Sequence, residues 1–274
     1  MSLIDEYIKE LKKDYPSFKE YNITEDNYNT FLMMTQEDSE NGDNNPVEGY
    51  YHIATPNSNG GYDFNLVPCK DLLRKKNLSY NMDTRFATEG YSNASLDDFR
   101  LDTKFRIKAM DYAKKFISNY SKDNYMDGLF LHGTYGSGKT YLLSAIGNAL
   151  ALKGIKVSIV FFPELCRELK RTMFKDDSEN IINYLKNVDV LLIDDLGAEC
   201  LTSYIRDDVL GPILNYRWSM HLPFFIASNL NFSGLIEHLS QTKEDSYNGV
   251  NDKVRAARII ERIKNSTIDC EFKD

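Results

Sequence analysis

The first part of the chain carries two kinds of apolar spacing, which together predict a small α+β domain. Apolar residues at positions 4, 7, 8 and 11 share one helix face, and a second helix is predicted over residues 26–34. Two short runs rich in aromatic and apolar residues, 50–54 and 62–67, flank a segment containing Pro, Asn and Gly and predict a β-hairpin. We expect this domain to span residues 1–85.

Helical and strand patterns alternate over the rest of the chain. Residues 78–95 are polar and irregular, so we expect a linker that extends to about residue 95. The predicted helices cover residues 103–120, 141–150, 163–174, 181–187 and 204–218, and the predicted strands cover 128–132, 156–162, 188–193 and 223–228. This alternation predicts an α/β domain over residues 96–274, with helices on both faces of a parallel sheet and a ligand site at the strands' carboxyl ends.

One glycine-rich segment fits the phosphate-binding loop G-x-x-x-x-G-K-[ST] at every fixed position, between a predicted strand and a predicted helix. Its glycines allow backbone N–H groups to point at phosphate oxygens, and the helix amino terminus adds positive charge. Lys139 is expected to reach the β- and γ-phosphates of ATP, and the Thr140 hydroxyl to bind Mg²⁺. A glycine-rich turn with a solvated lysine is the alternative, and it leaves the Lys-Thr pair unexplained. The predicted nucleotide-binding residues are Gly133, Thr134, Tyr135, Gly136, Ser137, Gly138, Lys139, Thr140 and Tyr141.

Polar residues that follow two apolar strands extend this site. Asp194 and Asp195 end the strand that begins near residue 188, and Asn229 follows the strand at 223–228. Asp194 is expected to hold the Mg²⁺ shell, and Asp195 to orient or polarise an attacking water. Asn229 is expected to hydrogen-bond the γ-phosphate or that water. Helix capping by Asp195 and local turn chemistry by Asn229 are the structural alternatives.

Three arginines form a basic stripe near the end of the chain. Arg255, Arg258 and Arg262 are spaced at i, i+3 and i+7, and the isoleucines at 259, 260 and 263 lie off the stripe. Such a stripe is either a solvated helix face or the source of an arginine finger for ATP bound to a neighbouring subunit. The sequence pattern leaves both interpretations open.

Composition narrows the class of protein. The 274 residues are 42% hydrophobic and 27% charged, with no apolar run long enough to span a membrane and no signal-peptide pattern, so we expect a cytoplasmic protein. The net charge is −8, and no domain is strongly basic, which argues against a stand-alone DNA-binding protein. Four distant cysteines, at positions 69, 166, 200 and 270, predict free thiols rather than disulfides or a zinc site.

Four segments make the chain resemble the bacterial replicative helicase loaders, the DnaI/DnaC family of AAA+ ATPases. These segments are residues 131–143, 192–199 (LIDDLGAE), 206–214 (RDDVLGPIL) and 257–263. The resemblance covers about residues 86–270 and is faint before them. It implies a P-loop AAA+ sheet without a carboxy-terminal lid domain, and Asn229 takes the position of the family's sensor residue.

The resemblance also implies a function and partners. The amino-terminal domain would bind the replicative DNA helicase, and the AAA+ domain would bind ATP and single-stranded DNA and hydrolyse ATP weakly, under control of a partner or DNA. Arg262 would be the finger, presented to a neighbouring copy, with Arg258 as second choice. Lys170 and Tyr204 fall in segments that face DNA. DnaI-type amino-terminal domains resemble zinc modules, but here only Cys69 and His52 match, so no zinc is expected.

Four other classes compete with this interpretation. An IstB-like transposition-helper ATPase has a similar core, but residues 192–199 and 206–214 and the acidic first domain favour the loader. A replication initiator with its own DNA-binding domain would need a basic helix-turn-helix after residue 262. A small-molecule P-loop kinase would need neither the arginine stripe nor the first domain. A nucleotide switch that acts mainly through its ATP-bound state would use the same residues.

Overall fold

The computed structural model describes residues 3–37, 50–58, 61–87, 91–172, 176–242 and 249–273. The chain divides into two compact units, Met1–Lys76 and Asn77–Asp274.

The first unit packs two helices and a hairpin around aromatic rings. Its helices are α1 (Leu3–Asp14) and α2 (Glu25–Glu37), separated by a 3-10 turn, and its strands are β1 (Tyr50–Pro56) and β2 (Tyr62–Pro68). The strands pair antiparallel, which confirms the predicted hairpin. Phe31 is fully buried, and its ring centroid lies within 5.6 Å of those of Phe18, Tyr21, Tyr62 and Phe64. These rings give the unit a core of its own.

The second unit is a six-stranded parallel sheet in the order β3-β5-β6-β7-β4-β8. Its strands are β3 (Met82–Phe86), β4 (Gly128–Gly133), β5 (Val157–Phe161), β6 (Val190–Asp194), β7 (Phe224–Ser228) and β8 (Thr267–Phe272). The helices are α3 (Lys70–Asn81, which begins in the first unit), α4 (Lys104–Asn119), α5 (Lys139–Leu152), α6 (Phe162–Thr172), α7 (Asp176–Asn187), α8 (Gly211–Ser219), α9 (Phe232–Ser240) and α10 (Gly249–Lys264). A π-helical turn, Ile205–Leu210, leads into α8.

An apolar core covers each face of this sheet. Phe130 belongs to one cluster of buried residues, and its neighbours Leu129 and Leu131 belong to the other, as the alternation of side chains along a strand requires. The predicted α/β architecture is therefore confirmed. The carboxyl ends of the central strands form the sheet edge where ligands are expected.

The structure corrects the predicted linker at residues 78–95. The end of α3 and all of β3 fall in this segment, and β3 pairs with β5. Met82 and Phe86 are buried, and the Asn81 amide donates to the Ala151 carbonyl at 3.0 Å. The boundary between the two compact units lies after Lys76, not at residue 85. Three polar residues separate Met82 from Phe86, so this short edge strand carries little apolar signal in the sequence.

Two further elements were not predicted from the sequence. Helix α9 follows β7, and β8 closes the edge of the sheet beside β4. Asn231 caps α9, because its side chain accepts from the Gly234 N–H at 2.9 Å. Among the described helices, none is both long and apolar enough to cross a membrane.

Candidate nucleotide-binding site

The phosphate-binding loop connects β4 to α5 through glycines with left-handed backbone angles. Gly133 has φ 138° and Gly138 has φ 94°. A Cβ atom added at Gly133 would lie 2.0 Å from the Phe272 carbonyl oxygen, so β8 approaches too closely for any other residue. Helix α5 begins at Lys139, which places its amino terminus and the positive end of its dipole at the loop.

Lys139 is held over this loop by the loop's own oxygen atoms. Only 7% of Lys139 is exposed, and its Nζ donates to the carbonyl oxygens of Gly133 at 3.0 Å and Thr134 at 2.7 Å. The Ser137 hydroxyl lies 3.3 Å from the same Nζ. Arg106 of α4 braces the loop from outside, donating from Nε to the Ser137 carbonyl at 3.1 Å. The ammonium group is thus positioned where an anionic ligand would meet it.

Asp194 ends β6 beside the start of α5 and is 3% exposed. The Thr140 hydroxyl donates to its Oδ1 at 2.9 Å, and the Tyr91 hydroxyl donates to its Oδ2 at 2.6 Å. Burial raises the pKa of Asp194 above its ordinary value, and the charge of Asp195 adds to this, while the two hydroxyl donors partly oppose it.

Asp195 and Asn229 join the ends of β6 and β7. The Asn229 Nδ2 donates to Asp195 Oδ1 at 2.8 Å. Asp195 has φ 56°, a left-handed conformation that turns its carboxylate away from the strand direction. The Ser228 hydroxyl donates to the Leu196 carbonyl at 2.6 Å and fixes the same turn. Burial raises the pKa of Asp195, which Lys139 opposes and Glu199 reinforces.

These groups meet in one cavity of about 560 Å³, a size typical of small-molecule sites. The sequence-predicted residues that line it are Tyr135, Gly136, Gly138, Lys139, Thr140, Tyr141, Asp194, Asp195 and Asn229. Gly133, Thr134 and Ser137 support the loop through their contacts with Lys139. Tyr91, Ala94, Ser144, Phe161 and Ser228 also line the cavity and were not predicted. Tyr91 and Ala94 were missed because they belong to the segment predicted as a linker.

Magnesium fits the donor set at this position. The Thr140 hydroxyl and the Asp194 carboxylate lie side by side in the cavity, and both offer the oxygen ligands that Mg²⁺ prefers. In the described part of the chain, no group of three or more His, Cys, Asp or Glu residues is placed to hold a metal ion by itself. The Sγ of Cys69 accepts from the Leu72 N–H at 3.4 Å, and the His52 side chain lies outside the described residues.

The arginine stripe of α10 does not line this cavity. It lines a second cavity of about 690 Å³ together with Arg206 and Asp207 of the π-helical turn and residues of α8. Arg255 forms an ion pair with Asp207 at 2.6 Å. The Arg262 guanidinium lies 4.1 Å from the Trp218 ring centroid, and its Nε donates to Asn215 Oδ1 at 3.2 Å. Arg258 lines the same cavity between them.

A buried arginine connects the π-helical turn to the helix that carries this stripe. Arg206 is fully buried, and its guanidinium pairs with Asp252 at 2.8 Å and with Asp207 at 2.9 Å. Its Nη1 atom also donates to the Leu239 carbonyl at 3.2 Å. The charged side chains of Arg206 and Asp207, which line the second cavity, are therefore held by ion pairs.

The two residues that the family resemblance placed toward DNA have contacts within the second unit. The Lys170 Nζ donates to the Cys200 carbonyl at 2.6 Å. Tyr204 is half-buried and packs against the apolar core. Neither lines the cavity that contains Lys139.

Comparison with known proteins identifies the family. A model of the bacterial DnaA ATPase domain matches residues 104–205. The replicative helicase loader DnaI of Bacillus subtilis is 33% identical over 223 residues, which are 80% of this chain and 70% of that protein. This chain belongs to the DnaI/DnaC family of helicase loaders.

Other members of the DnaI/DnaC family agree with this assignment. A crystal structure of DnaI is 41% identical and covers 71% of this chain and 98% of that one, with a TM-score of 0.64. The replicative helicase loader DnaC of Buchnera aphidicola is 29% identical over 172 residues, 60% of this chain and 69% of that protein. The family and the AAA+ fold predicted from the sequence are confirmed.

Proposed function

We propose that this chain is an ATP-dependent loader of the replicative DNA helicase in replication initiation or restart. One observation carries the proposal: Lys139, Thr140, Asp194, Asp195 and Asn229 line a single cavity at the carboxyl ends of adjacent parallel strands. In a chain that belongs to the helicase-loader family, this arrangement supports ATP binding and hydrolysis as the step that drives loading.

Each polar group in the cavity has a proposed task. Backbone N–H groups of the loop and Lys139 bind the phosphates, and Thr140 and Asp194 hold the ion. Mg²⁺, when bound, neutralises charge on the β- and γ-phosphates. Asp195 is proposed to orient and polarise the attacking water, and Asn229 fixes the Asp195 carboxylate through its 2.8 Å hydrogen bond. Asn229 is also proposed to hydrogen-bond the γ-phosphate or that water.

Arg262 is proposed to serve a neighbouring copy of the chain. The arginines of α10 line one cavity and Lys139 lines another. The arginines are therefore not placed to contact ATP bound to their own subunit. A finger supplied by a neighbour makes hydrolysis depend on assembly. Contact with Trp218 and Asn215 pre-orients the Arg262 guanidinium, which favours it over Arg258. ATP hydrolysis by the isolated chain is accordingly proposed to be weak.

The partner assignments rest on the family and on the division of the chain. The first unit, with its own aromatic core, is proposed to bind the helicase, and the AAA+ unit to bind single-stranded DNA. Lys170 remains a proposed DNA contact, and Tyr204 a weaker one because it packs on the core. The proposed site of action is the cytoplasm, as expected for a factor that acts on the replicative helicase.

Co-purification distinguishes this function from that of an IstB-like transposition helper. The full chain, tagged and expressed in cells of the organism that encodes it, is expected to retain the replicative helicase. Residues 1–76 are expected to retain it as well, and residues 77–274 are not. Recovery of a transposase instead of the helicase would contradict the loader assignment. Recovery of the helicase by residues 77–274 alone would reverse the proposed tasks of the two units.

A further inference from the structure

Tyr91 contacts the proposed metal-binding carboxylate from outside the P-loop, β6 and β7. Its hydroxyl donates to Asp194 Oδ2 at 2.6 Å, and the residue is only 4% exposed. The Thr140 hydroxyl donates to Oδ1 of the same carboxylate at 2.9 Å. Two hydroxyl groups from different parts of the chain therefore hold the carboxylate, one mainly at each oxygen.

The backbone next to Tyr91 is anchored to the helix that begins at the P-loop. The Asn148 Nδ2 donates to the carbonyl oxygens of Tyr91 at 3.0 Å and of Ala94 at 2.8 Å. Asn148 is buried on α5, about two helical turns after Thr140. The same rigid helix thus fixes both the Thr140 hydroxyl and the segment that carries the Tyr91 hydroxyl.

These contacts restrict rotation of the Asp194 carboxylate, which would otherwise be free. The terminal torsion of an aspartate is broad and roughly two-fold, so a hydrogen bond to one oxygen selects one orientation of the carboxylate. Burial also removes the water that would satisfy Oδ2, and the Tyr91 hydroxyl replaces it. Partners of this kind around a metal ligand typically contribute about 10–100-fold to metal affinity or activity.

We propose that Tyr91 is a positioning residue for Mg²⁺ in the nucleotide site, where its hydroxyl orients the Asp194 carboxylate toward the ion. The inference rests on the proposed function, because it concerns the same ATP site. It assigns a task to a segment that precedes the AAA+ motifs and that none of the sequence motifs includes.

The test is the Mg²⁺ dependence of ATP binding by Tyr91→Phe, which keeps the buried ring and removes the hydroxyl. Binding of a fluorescent ATP analogue is titrated with Mg²⁺, and its affinity is also measured in EDTA. The affinity in EDTA is expected to stay within about 2-fold of the wild type. The Mg²⁺ concentration at the midpoint is expected to rise by about 10-fold or more.

Tyr120→Phe is the matched control. Tyr120 is also buried, but its hydroxyl donates to the Asp189 carbonyl at 3.3 Å and the residue does not line the cavity that contains Asp194. Removing this hydroxyl is expected to leave the Mg²⁺ midpoint unchanged. An equal shift in both variants would overturn the proposal, because it would show a general effect of removing a buried tyrosine hydroxyl.

A second variant tests the hydrogen bonds by which Asn148 holds the segment that carries Tyr91. Asn148→Ala is checked for folding by its thermal transition and is expected to raise the Mg²⁺ midpoint. Tyr91→Phe added to Asn148→Ala is expected to raise the midpoint by a smaller factor than Tyr91→Phe does in the wild-type chain, because both changes act on the same hydroxyl. A wild-type midpoint for Tyr91→Phe would overturn the inference and leave the proposed function standing. If ATP binding by the wild-type chain did not depend on Mg²⁺, both would fall.

Discussion

Asn229 Nδ2 lies 2.8 Å from Asp195 Oδ1, and this hydrogen bond joins the ends of two neighbouring parallel strands. Asp195 reaches Asn229 because it adopts a left-handed φ of 56° directly after β6. Strand β7, which Asn229 follows, lies between the strands that end at the P-loop and at Asp194. The amide is thus placed to control where the Asp195 carboxylate points.

Loss of this amide is expected to impair hydrolysis more than binding. Asn229→Ala leaves the P-loop and Lys139 in place but frees the Asp195 carboxylate. We expect the rate of ATP hydrolysis to fall by about 100-fold, with ATP affinity within about 3-fold of the wild type. Single-turnover hydrolysis and equilibrium binding measure the two quantities. Asp195→Asn alone and the double variant should show similar losses, and strictly additive losses would contradict the coupling.

Removing the Lys139 ammonium is expected to abolish ATP binding. It is buried against the loop that is proposed to surround the phosphates, and among the described residues no other lysine or arginine lines this cavity. Lys139→Ala should weaken ATP affinity by at least about 100-fold, as expected for loss of charge-assisted bonds to phosphate. Lys122→Ala is the control, because Lys122 is exposed and pairs with Asp189 outside the cavity. Unchanged affinity in Lys139→Ala would refute the phosphate-loop assignment.

The buried charge of Asp194 is expected to reduce stability at neutral pH. Burial raises the pKa of Asp194 in the folded protein, so the folded state binds the proton more tightly than the unfolded state. The ionised group therefore disfavours folding above the folded pKa, and the penalty fades as the pH falls through that value. In EDTA, Asp194→Asn should gain stability relative to the wild type at about pH 8 and lose that advantage near pH 4.

Thermal unfolding across this pH range measures the effect. Each kcal/mol of relieved penalty corresponds to about 2–4 °C in Tm for a protein of this size class. Asp189→Asn is the control because Asp189 lies outside the nucleotide cavity and pairs with Lys122 at 2.9 Å. A stability advantage of Asp194→Asn that grows as the pH falls would show that the ionised Asp194 does not destabilise the folded state.

Arg262 is expected to act on the ATP of a neighbouring subunit. Arg262→Ala should bind ATP normally but lose about 1000-fold in partner-stimulated hydrolysis, within the range attributed to arginine fingers. Mixing it with Lys139→Ala should restore part of the activity, because one protein supplies the finger and the other an intact ATP site. Arg258→Ala tests the second choice. Failure of the mixture to recover any activity would contradict a finger supplied by a neighbour.

The AAA+ core could be predicted from the sequence because its signals are local. The P-loop places its glycines, a lysine and a hydroxyl-bearing residue within eight consecutive positions. Asp194 and Asn229 come at the ends of strands that are apolar on both faces. Since parallel strands end at one edge, their order along the chain was enough to expect a common site.

Tyr91 and β3 could not be predicted because their partners are distant in sequence. Tyr91 is 103 positions from Asp194, and its segment carries too few apolar residues to show a period. Strand β3 is short and lies at an edge, so its register is set by pairing with β5. The contact between Trp218 and Arg262 could not be predicted either, because α8 and α10 are distant in sequence and meet only in the folded unit.

The proposed helicase-loading function is tested by retention of the replicative helicase on circular single-stranded DNA. The purified helicase is incubated with the DNA and ATP, with or without this chain, and the bound helicase is quantified after gel filtration. We expect the wild-type chain to increase the bound fraction severalfold and Lys139→Ala not to do so. Equal retention with and without the chain would contradict a helicase-loading function.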